Sequence, residues 1–222
     1  MPSPDQNMAA QCLAHPAEQL AIVDLTGQTR RDITYGTLAE MVDGLARALM
    51  VRVQAGDRVG VLLSQSPWCA AAHIAIWKIG AISVPLFKLF KYDALQSRVC
   101  DAGIQIVLTD DEGAGLLGDL AEPWMTETAG ITGGVVEMTA VETDTAGVLI
   151  YTSGTTGSPK GALHGHGVLG GHLAGVSLSH DHLGQPGDCL WTPADWAWIG
   201  GLFDLLMPGL AMGVPVVAAR ME

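Results

Sequence analysis

Short apolar runs alternate along the chain with longer segments in which apolar residues recur at helical spacing. The clearest helix follows Thr34, whose hydroxyl can cap the helix N-terminus, and Gly56 and Asp57 end this segment. Two short runs before it, 21–24 and 31–34, flank a turn-forming sequence and predict a hairpin. The apolar stripe of the helix consists of Leu38, Met41, Val42, Leu45 and Leu49.

The rest of the chain predicts strands and helices in alternation. Gly103 is expected to end one helix, because glycine readily adopts the left-handed conformation there. The segment 110–145 is rich in Gly, Thr, Glu and Asp, and it predicts loops around a short helix near 116–120. Strands are predicted over 59–63, 81–85, 104–109, 147–151, 188–192 and 214–218, and helices over 67–79, 93–102, 167–178 and 199–212.

This alternation predicts an α/β fold with largely parallel sheets flanked by helices. Ligands of such sheets bind beyond the carboxyl ends of the strands. The loop that follows the predicted strand 147–151 lies at such a place. A length of 222 residues allows one domain, or one domain and part of a second.

The charge balance narrows the classes of partner. A formal net charge of −12 argues against sequence-independent binding of nucleic acid and against docking on anionic lipid. The apolar stretches 68–86 and 202–219 are interrupted by charged residues, glycine or proline, so neither predicts a membrane span. The first residues show neither the basic nor the apolar region of a secretory signal, so none is expected, and the 4 cysteines are scattered. We therefore expect a cytoplasmic protein with reduced, buried thiols.

The segment from Tyr151 to Gly161, YTSGTTGSPKG, carries the most specific chemistry in the chain. Its glycines let backbone N–H groups approach an anion, its hydroxyls donate hydrogen bonds, and Lys160 adds a positive charge. This composition favours polyphosphate. The segment is not a Walker A motif, because Gly157 is followed by Ser158 rather than lysine. On composition alone, a flexible surface linker is the alternative.

The same segment resembles the signature loop of the adenylate-forming superfamily, which includes acyl-CoA synthetases, adenylation domains of peptide synthetases and luciferases. The family pattern is roughly (Y/F)-T-S-G-(S/T)-T-G-x-P-K-G, and the chain matches every position. The segments 33–38, 56–63 and 77–86 are similar to further family elements. The segment 194–201 resembles one that is typical of acetyl- and other short- or medium-chain acyl-CoA synthetases, with Ala197 in place of the usual glycine.

The resemblance implies roles for individual residues. Thr155 and Thr156 would donate hydroxyl hydrogen bonds, and Lys160 would screen the leaving pyrophosphate. Lys160 and Thr155 are the expected catalytic residues, and a solvated surface lysine is the alternative for Lys160. The residues expected to contact the ATP phosphates are Thr152, Ser153, Gly154, Thr155, Thr156, Gly157 and Lys160.

The tryptophans near the C-terminal end of the sequence divide into two groups. The resemblance to short-chain acyl-CoA synthetases implies that Trp198 lies beside an acyl pocket, where a bulky ring limits the length of the bound acid by filling volume. Core packing is the alternative for Trp198, and it is the expectation for Trp191 and Trp196.

Most of the histidines lie between His164 and His182. We expect no metal site there, because the pairs lack the i, i+4 spacing of a helical ligand set and no cysteine joins them at finger spacing. The family resemblance accounts for a histidine at 164 or 166. His180 and His182 are expected in a polar surface loop.

The resemblance implies the N-terminal part of an acyl-CoA synthetase, a ligase that activates a small carboxylic acid as acyl-AMP and transfers it to CoA, with ATP, Mg²⁺ and CoA. Residues 1–222 would then form an incomplete large adenylation domain without the small C-terminal domain, and this piece alone is expected to be inactive. The alternatives are a truncated, non-catalytic nucleotide- or phosphate-binding module, and an adenylation domain or aryl-CoA ligase of the same superfamily. A dehydrogenase is disfavoured, because no G-x-G-x-x-G follows an early strand. The acid, the thiol acceptor and the oligomeric state stay open.

Overall fold

The structure is a computed structural model, and it describes residues 1–128, 133–152 and 159–219. Its helices are α1 (Met8–Cys12), α2 (Tyr35–Leu49), α3 (Pro67–Lys78), α4 (Tyr92–Ala102), α5 (Asp111–Leu117), α6 (Gly167–Ser179), α7 (Ile199–Gly201) and α8 (Met207–Ala211). Its strands are β1 (Leu20–Asp24), β2 (Arg31–Thr34), β3 (Arg58–Leu62), β4 (Ile82–Pro85), β5 (Ile106–Thr109), β6 (Glu122–Met125), β7 (Ala146–Thr152), β8 (Lys160–Gly165) and β9 (Val216–Ala218).

Two sheets organise these strands. The larger sheet has six strands in the order β6-β5-β3-β4-β7-β8, and all its pairings except β7 with β8 are parallel. The smaller sheet has the order β2-β1-β9, with the predicted hairpin β1–β2 antiparallel and β9 parallel to β1. The expected α/β fold with largely parallel sheets and flanking helices is confirmed.

Helices cover both faces of the larger sheet, because its central strands are apolar on both sides. Every residue of β4 and of β5 is buried. One face packs against α2 and α3, with Trp77 of α3 fully buried, and the other packs against α4 and α5 through Leu95 and Val99. The predicted caps are confirmed: the Thr34 hydroxyl accepts from the Thr37 N–H at 3.2 Å, and Gly103 ends α4 with φ of 63°.

Two predicted elements differ from the structure near the C-terminal end of the sequence. The predicted strand 188–192 is wrong, because only Leu190 pairs, through a single parallel bridge to Val216. The Asp188 carboxylate accepts from the N–H groups of Gly184 and Gln185, which holds the chain in a turn. The predicted helix 199–212 forms, but its middle, Leu202–Leu206, is π-helical. Pro208 lacks the N–H of a regular helix, which favours this wider turn.

Sequence patterns missed strand β6 and the start of the short helix before it, whereas the extended segment expected at 161–164 is confirmed as part of β8. The segment 110–145 contains strand β6, whose Pro123 is tolerated because β6 lies at the sheet edge. The short helix of this segment starts earlier than expected, at Asp111, because the Asp110 carboxylate caps it by accepting from the Gly113 N–H at 2.9 Å. Strand β8 runs antiparallel to β7, so the chain returns directly along the strand that precedes the signature loop.

Candidate functional site

Both ends of the signature loop, Tyr151–Thr152 and Lys160–Gly161, lie in paired strands. Thr152 closes β7, Lys160 opens β8, and the two residues are register partners across the antiparallel pair. The Thr152 hydroxyl lies 3.5 Å from the Lys160 carbonyl oxygen, and both residues are exposed. This arrangement presents one hydroxyl and one ammonium group at the carboxyl end of a central strand, where ligands of parallel sheets bind.

The middle of the loop carries the other predicted phosphate contacts. Ser153, Gly154, Thr155, Thr156 and Gly157 lie outside the described residues. Thr152 and Lys160 are therefore the predicted phosphate contacts that the structure locates, and they fit the side chains that a polyphosphate requires.

A cavity of about 540 Å³ lies at the same edge of the larger sheet, and we call it the carboxyl-edge cavity. Its lining follows the ends of parallel strands β3, β4, β5 and β9, together with the segment before α7. Because β4 and β7 are hydrogen-bonded neighbours, the cavity and the signature loop follow adjacent strands. The lining consists of Ser64, Gln65, Phe87, Lys88, Leu89, Glu112, Pro193, Ala194, Asp195, Trp198 and Ala219.

A larger cavity, of about 670 Å³, lies elsewhere, beside the smaller sheet. Its walls include Leu20 and Pro215, which lie at or before the amino ends of β1 and β9. We place the functional site at the carboxyl-edge cavity, because amino ends of parallel strands are not where α/β sheets bind their ligands.

Gln65 connects segments of the chain that line the carboxyl-edge cavity. Its side-chain amide donates to the carbonyl oxygens of Thr192 at 3.0 Å and Ala194 at 2.7 Å, and its carbonyl accepts from the Ala219 N–H at 3.4 Å. The side chain is buried, so these bonds satisfy it away from water. Gln65 thereby joins the end of β3 to the end of β9 and to the segment that carries Trp198.

The charged groups of the cavity are largely neutralised among themselves. The buried Lys88 ammonium lies 2.7 Å from an Asp110 carboxylate oxygen and 2.8 Å from a Glu112 oxygen. Burial raises the pKa of Asp195 above its ordinary value, although the Ala197 N–H and the Lys88 charge oppose that rise. Lys88 is paired with two carboxylates, so Lys160 is the better placed cation for a phosphate ligand.

Phe87 and Trp198 line one side of this cavity, and Phe90 packs against both of them; we call these three rings the aromatic wall. Trp198 lies 5.3 Å from Phe87 and 6.1 Å from Phe90 between ring centroids, and it keeps 41% of its surface exposed. A core residue would not keep that exposure, so the geometry favours the pocket interpretation of Trp198 over core packing. Trp196 is fully buried as expected, whereas the expectation for Trp191 is wrong, because it is 50% exposed.

The histidines have separate environments. His180 and His182 are exposed, as expected, in a turn in which Asp181 and His182 have positive φ. His166 is fully buried, and its Nδ1 accepts from the Met8 N–H at 3.1 Å. Within the three described ranges, no cluster of three or more His, Cys, Asp or Glu side chains is placed to hold a metal ion.

The buried imidazoles predict acid sensitivity. Burial lowers the pKa of His166 to about 4 and that of His73 to about 3, whereas in the unfolded chain both have the ordinary histidine pKa of about 6.5. Below pH 6.5 the unfolded chain therefore binds protons that the folded chain does not, and stability falls as the pH falls. For each of the two histidines, the unfolding free energy should fall by about 2 kcal/mol when the pH is lowered from 7 to 5.

Chemical denaturation at both pH values measures this loss. His166→Gln keeps a hydrogen-bond acceptor for the Met8 N–H and should abolish about half of the loss, while His73 retains the remainder. His164→Gln is the control for removing any histidine, because His164 lies two residues earlier, at a half-buried position of β8. An unchanged loss in His166→Gln would show that His166 is not neutral in the folded protein.

Sequence reasoning did not find Gln65, Lys88 or Asp195. Each follows the end of a strand or lies in the segment before α7, but the three come together only through the order of strands in the sheet. The one available signal was position, since polar residues directly after a buried strand are candidates for a site of this fold.

The fold and the site define an α/β protein with a loop rich in Gly, Ser and Thr after β7 and an adjacent cavity at the carboxyl edge of a parallel sheet. Residues 8–222 match the family described as AMP-binding enzyme. The chain therefore belongs to the AMP-binding family of adenylate-forming enzymes.

Similar proteins agree with this assignment. The acetyl-coenzyme A synthetase of Xanthobacter autotrophicus is 34% identical over 223 residues, which cover 82% of this chain and 34% of that protein. The acetyl-coenzyme A synthetase of a Shewanella species (strain ANA-3) is 31% identical over 256 residues, 95% of this chain and 39% of that protein. The crystal structure of the Brucella canis acyl-CoA synthetase superposes with a TM-score of 0.85 at 22% identity, over 97% of this chain and 43% of that one.

The chain thus spans about two-fifths or less of the length of these curated relatives. Among the described residues, none of the helices has both the length and the apolar character needed to cross a membrane. The match to the solved structure, at its low identity, concerns the fold alone.

Proposed function

We propose that the complete gene product is an ATP-dependent acyl-CoA synthetase that activates a small carboxylic acid as acyl-AMP and transfers the acyl group to CoA. Residues 1–222 would form the first part of its large N-terminal domain. The observation that carries this proposal is the adjacency of two sites at one sheet edge: the loop base at Thr152 and Lys160 follows β7, and the carboxyl-edge cavity follows its neighbour β4.

The two sites suit the two parts of the first reaction. A carboxylate oxygen of the acid attacks the α-phosphorus of ATP, the bond to the β-phosphate bridging oxygen breaks, and pyrophosphate leaves. This chemistry requires no nucleophile from the protein, because it depends on alignment of the reactants and on neutralisation of phosphate charge. The exposed Thr152 hydroxyl and Lys160 ammonium would meet the phosphates, and the aromatic wall would hold the acyl chain.

The second reaction transfers the acyl group. The sulfur of CoA attacks the acyl carbonyl carbon, a thioester forms, and AMP leaves with the electrons of the mixed-anhydride bond. Mg²⁺ would enter with ATP and be held largely by phosphate oxygens, as is usual for this ion. The net charge of −12 makes local cations important for two polyanionic substrates, and Lys160 is the exposed cation at the loop base.

The other residues of the signature loop would also bind the phosphates. Thr155 and Thr156 would donate hydroxyl hydrogen bonds to the phosphates, with Thr155 and Lys160 acting on the transferring group. Ser153, Gly154 and Gly157 would contribute backbone N–H groups or hydrogen bonds around the anion. The family membership of the chain and the motif match support these proposed roles.

Acid-dependent exchange of labelled pyrophosphate into ATP tests the first reaction. The complete gene product should catalyse this exchange with at least one acid between acetate and octanoate, and the reaction without acid is the control. CoA should then convert the bound intermediate to a thioester with release of AMP. Lack of exchange with every acid in this series would contradict activation of a small acid, and exchange without thioester formation would point to another acceptor.

A further inference from the structure

Arg98, in the middle of α4, is buried between two aromatic rings. Its guanidinium carbon lies 4.0 Å from the centre of the Phe90 ring and 5.8 Å from the centre of the Tyr151 ring. One guanidinium nitrogen donates to the Ala94 carbonyl oxygen at 2.7 Å, whereas Nε has no hydrogen-bond partner among the described residues. The guanidinium therefore lies against two aromatic rings and has an incomplete set of hydrogen bonds among the described residues.

This arrangement is costly for a residue that only fills space. A buried charge loses its hydration, and an incompletely bonded guanidinium recovers only part of that loss. A methionine or leucine would fill the same volume between helix and sheet without the penalty. The cation–π contacts with Phe90 and Tyr151 offset the cost, and they join two segments that carry the proposed site.

Each ring belongs to a different part of the site. Tyr151 is the first residue of the signature loop and directly precedes Thr152. Its hydroxyl donates to the Asp101 carboxylate at 2.5 Å, so α4 holds this side chain at two points. Phe90 belongs to the aromatic wall, where its ring lies 5.6 Å from Phe87 and 6.1 Å from Trp198 between centroids. Arg98 thus lies between the loop and the cavity wall.

We propose that Arg98 is a positioning residue that couples the signature loop to the carboxyl-edge cavity, so that a bound acid and a bound nucleotide change each other's affinity. This inference rests on the proposed function for the identity of the two ligands. An acid that packs against Trp198 fixes the aromatic wall. Phe90, Arg98 and Tyr151 then fix the start of the loop, and a nucleotide on the loop acts in the reverse direction.

Coupling of this kind is a thermodynamic quantity and must be equal in both directions. In the complete gene product, the dissociation constant of α,β-methylene-ATP, a non-reactive analogue, is measured with and without saturating acid. The dissociation constant of the acid is then measured with and without the analogue. The wild-type protein should show one factor in both directions, of about 5- to 150-fold.

Variants of Arg98 should change this factor specifically. Arg98→Met keeps the apolar stem. It should lower the coupling factor about tenfold, or to near one where the wild-type factor is about ten or less, which is the size expected for a desolvated cation–π contact. Arg98→Lys keeps a cation and should retain part of the coupling. Phe90→Leu, which leaves the arginine in place, should lose coupling as Arg98→Met does, and it serves if Arg98→Met folds poorly.

Arg58→Met is the matched control. Arg58 also bonds to α4, through its Nε and the Ala102 carbonyl oxygen at 2.9 Å, but it lies at the amino end of β3, away from the site. This variant should lower stability and leave the coupling factor unchanged. A structural role for Arg98 would weaken both ligands and keep their mutual factor.

The outcomes separate this inference from the proposed function. Pyrophosphate exchange in a wild-type protein that shows no coupling, or the same coupling in Arg98→Met and Phe90→Leu as in wild type, overturns the role of Arg98 alone. Absence of exchange with every acid contradicts the proposed function, and the inference falls with it.

Discussion

Lys160→Ala should lower the rate of acid-dependent pyrophosphate exchange by about 10²- to 10³-fold. The lysine lies at the loop base, exposed, with its backbone fixed by the pairing of β8 with β7. Its positive charge would stabilise the reaction most in the transition state, when negative charge moves onto the departing pyrophosphate. The loss should therefore appear mainly in kcat, with a smaller change in the KM of the acid.

Two variants control this experiment. Lys160→Arg keeps the charge with a different donor geometry and should recover part of the rate. Lys91→Ala removes an exposed lysine at the N-cap of α4, where its side chain makes no capping hydrogen bond. This variant should leave the exchange rate within about twofold of wild type. Because Lys160 is exposed, its removal should not change the unfolding free energy measurably. A Lys160→Ala enzyme with wild-type exchange would identify Lys160 as a solvated surface residue.

Trp198→Ala should shift the preference for acids toward longer chains. The indole bounds the carboxyl-edge cavity and packs edge-on or tilted against Phe87 and Phe90, so its removal opens space where the end of an acyl chain would lie. In such a pocket, one additional or missing methylene group of the acid changes kcat/KM by about 10- to 200-fold. The ratio of kcat/KM for octanoate to that for acetate should rise by at least this factor.

The control for this variant is Trp191→Ala. Trp191 is also a half-exposed tryptophan, and it is absent from the lining of the carboxyl-edge cavity. Its removal should change stability without changing the ratio of the two acids. An equal ratio in Trp198→Ala and wild type would assign Trp198 to packing of the aromatic wall, and the length limit would then lie elsewhere.

The local features of the fold could be predicted from the sequence, because they depend on neighbouring residues. The cap at Thr34 and the left-handed end of α4 at Gly103 each follow from one residue and its immediate context. The burial of β4 and β5 follows from their apolar runs. The strand predicted at 188–192 was wrong because only Leu190 of its apolar residues is buried and paired, whereas Cys189 and Trp191 are exposed, and an apolar run does not reveal this difference.

The candidate site was only partly predictable. The motif marks Thr152 and Lys160 in one short segment, so a local pattern was enough. Gln65 reaches Ala194 across 129 positions of sequence, and Arg98 contacts Tyr151 on a strand that is not adjacent in sequence to α4. Such contacts depend on the order β3-β4-β7 in the sheet, which no local pattern encodes. A long-range polar contact is therefore visible only after the topology is known.

The central claim is that the loop between Tyr151 and Gly161 binds the triphosphate of ATP. A crystal structure of the complete gene product with Mg²⁺ and α,β-methylene-ATP tests it most directly. Phosphate oxygens should lie within hydrogen-bond distance of the Thr152 hydroxyl or the Lys160 ammonium, at the carboxyl end of β7. A nucleotide bound with its phosphates at any other place, with this loop free of ligand, would contradict the account.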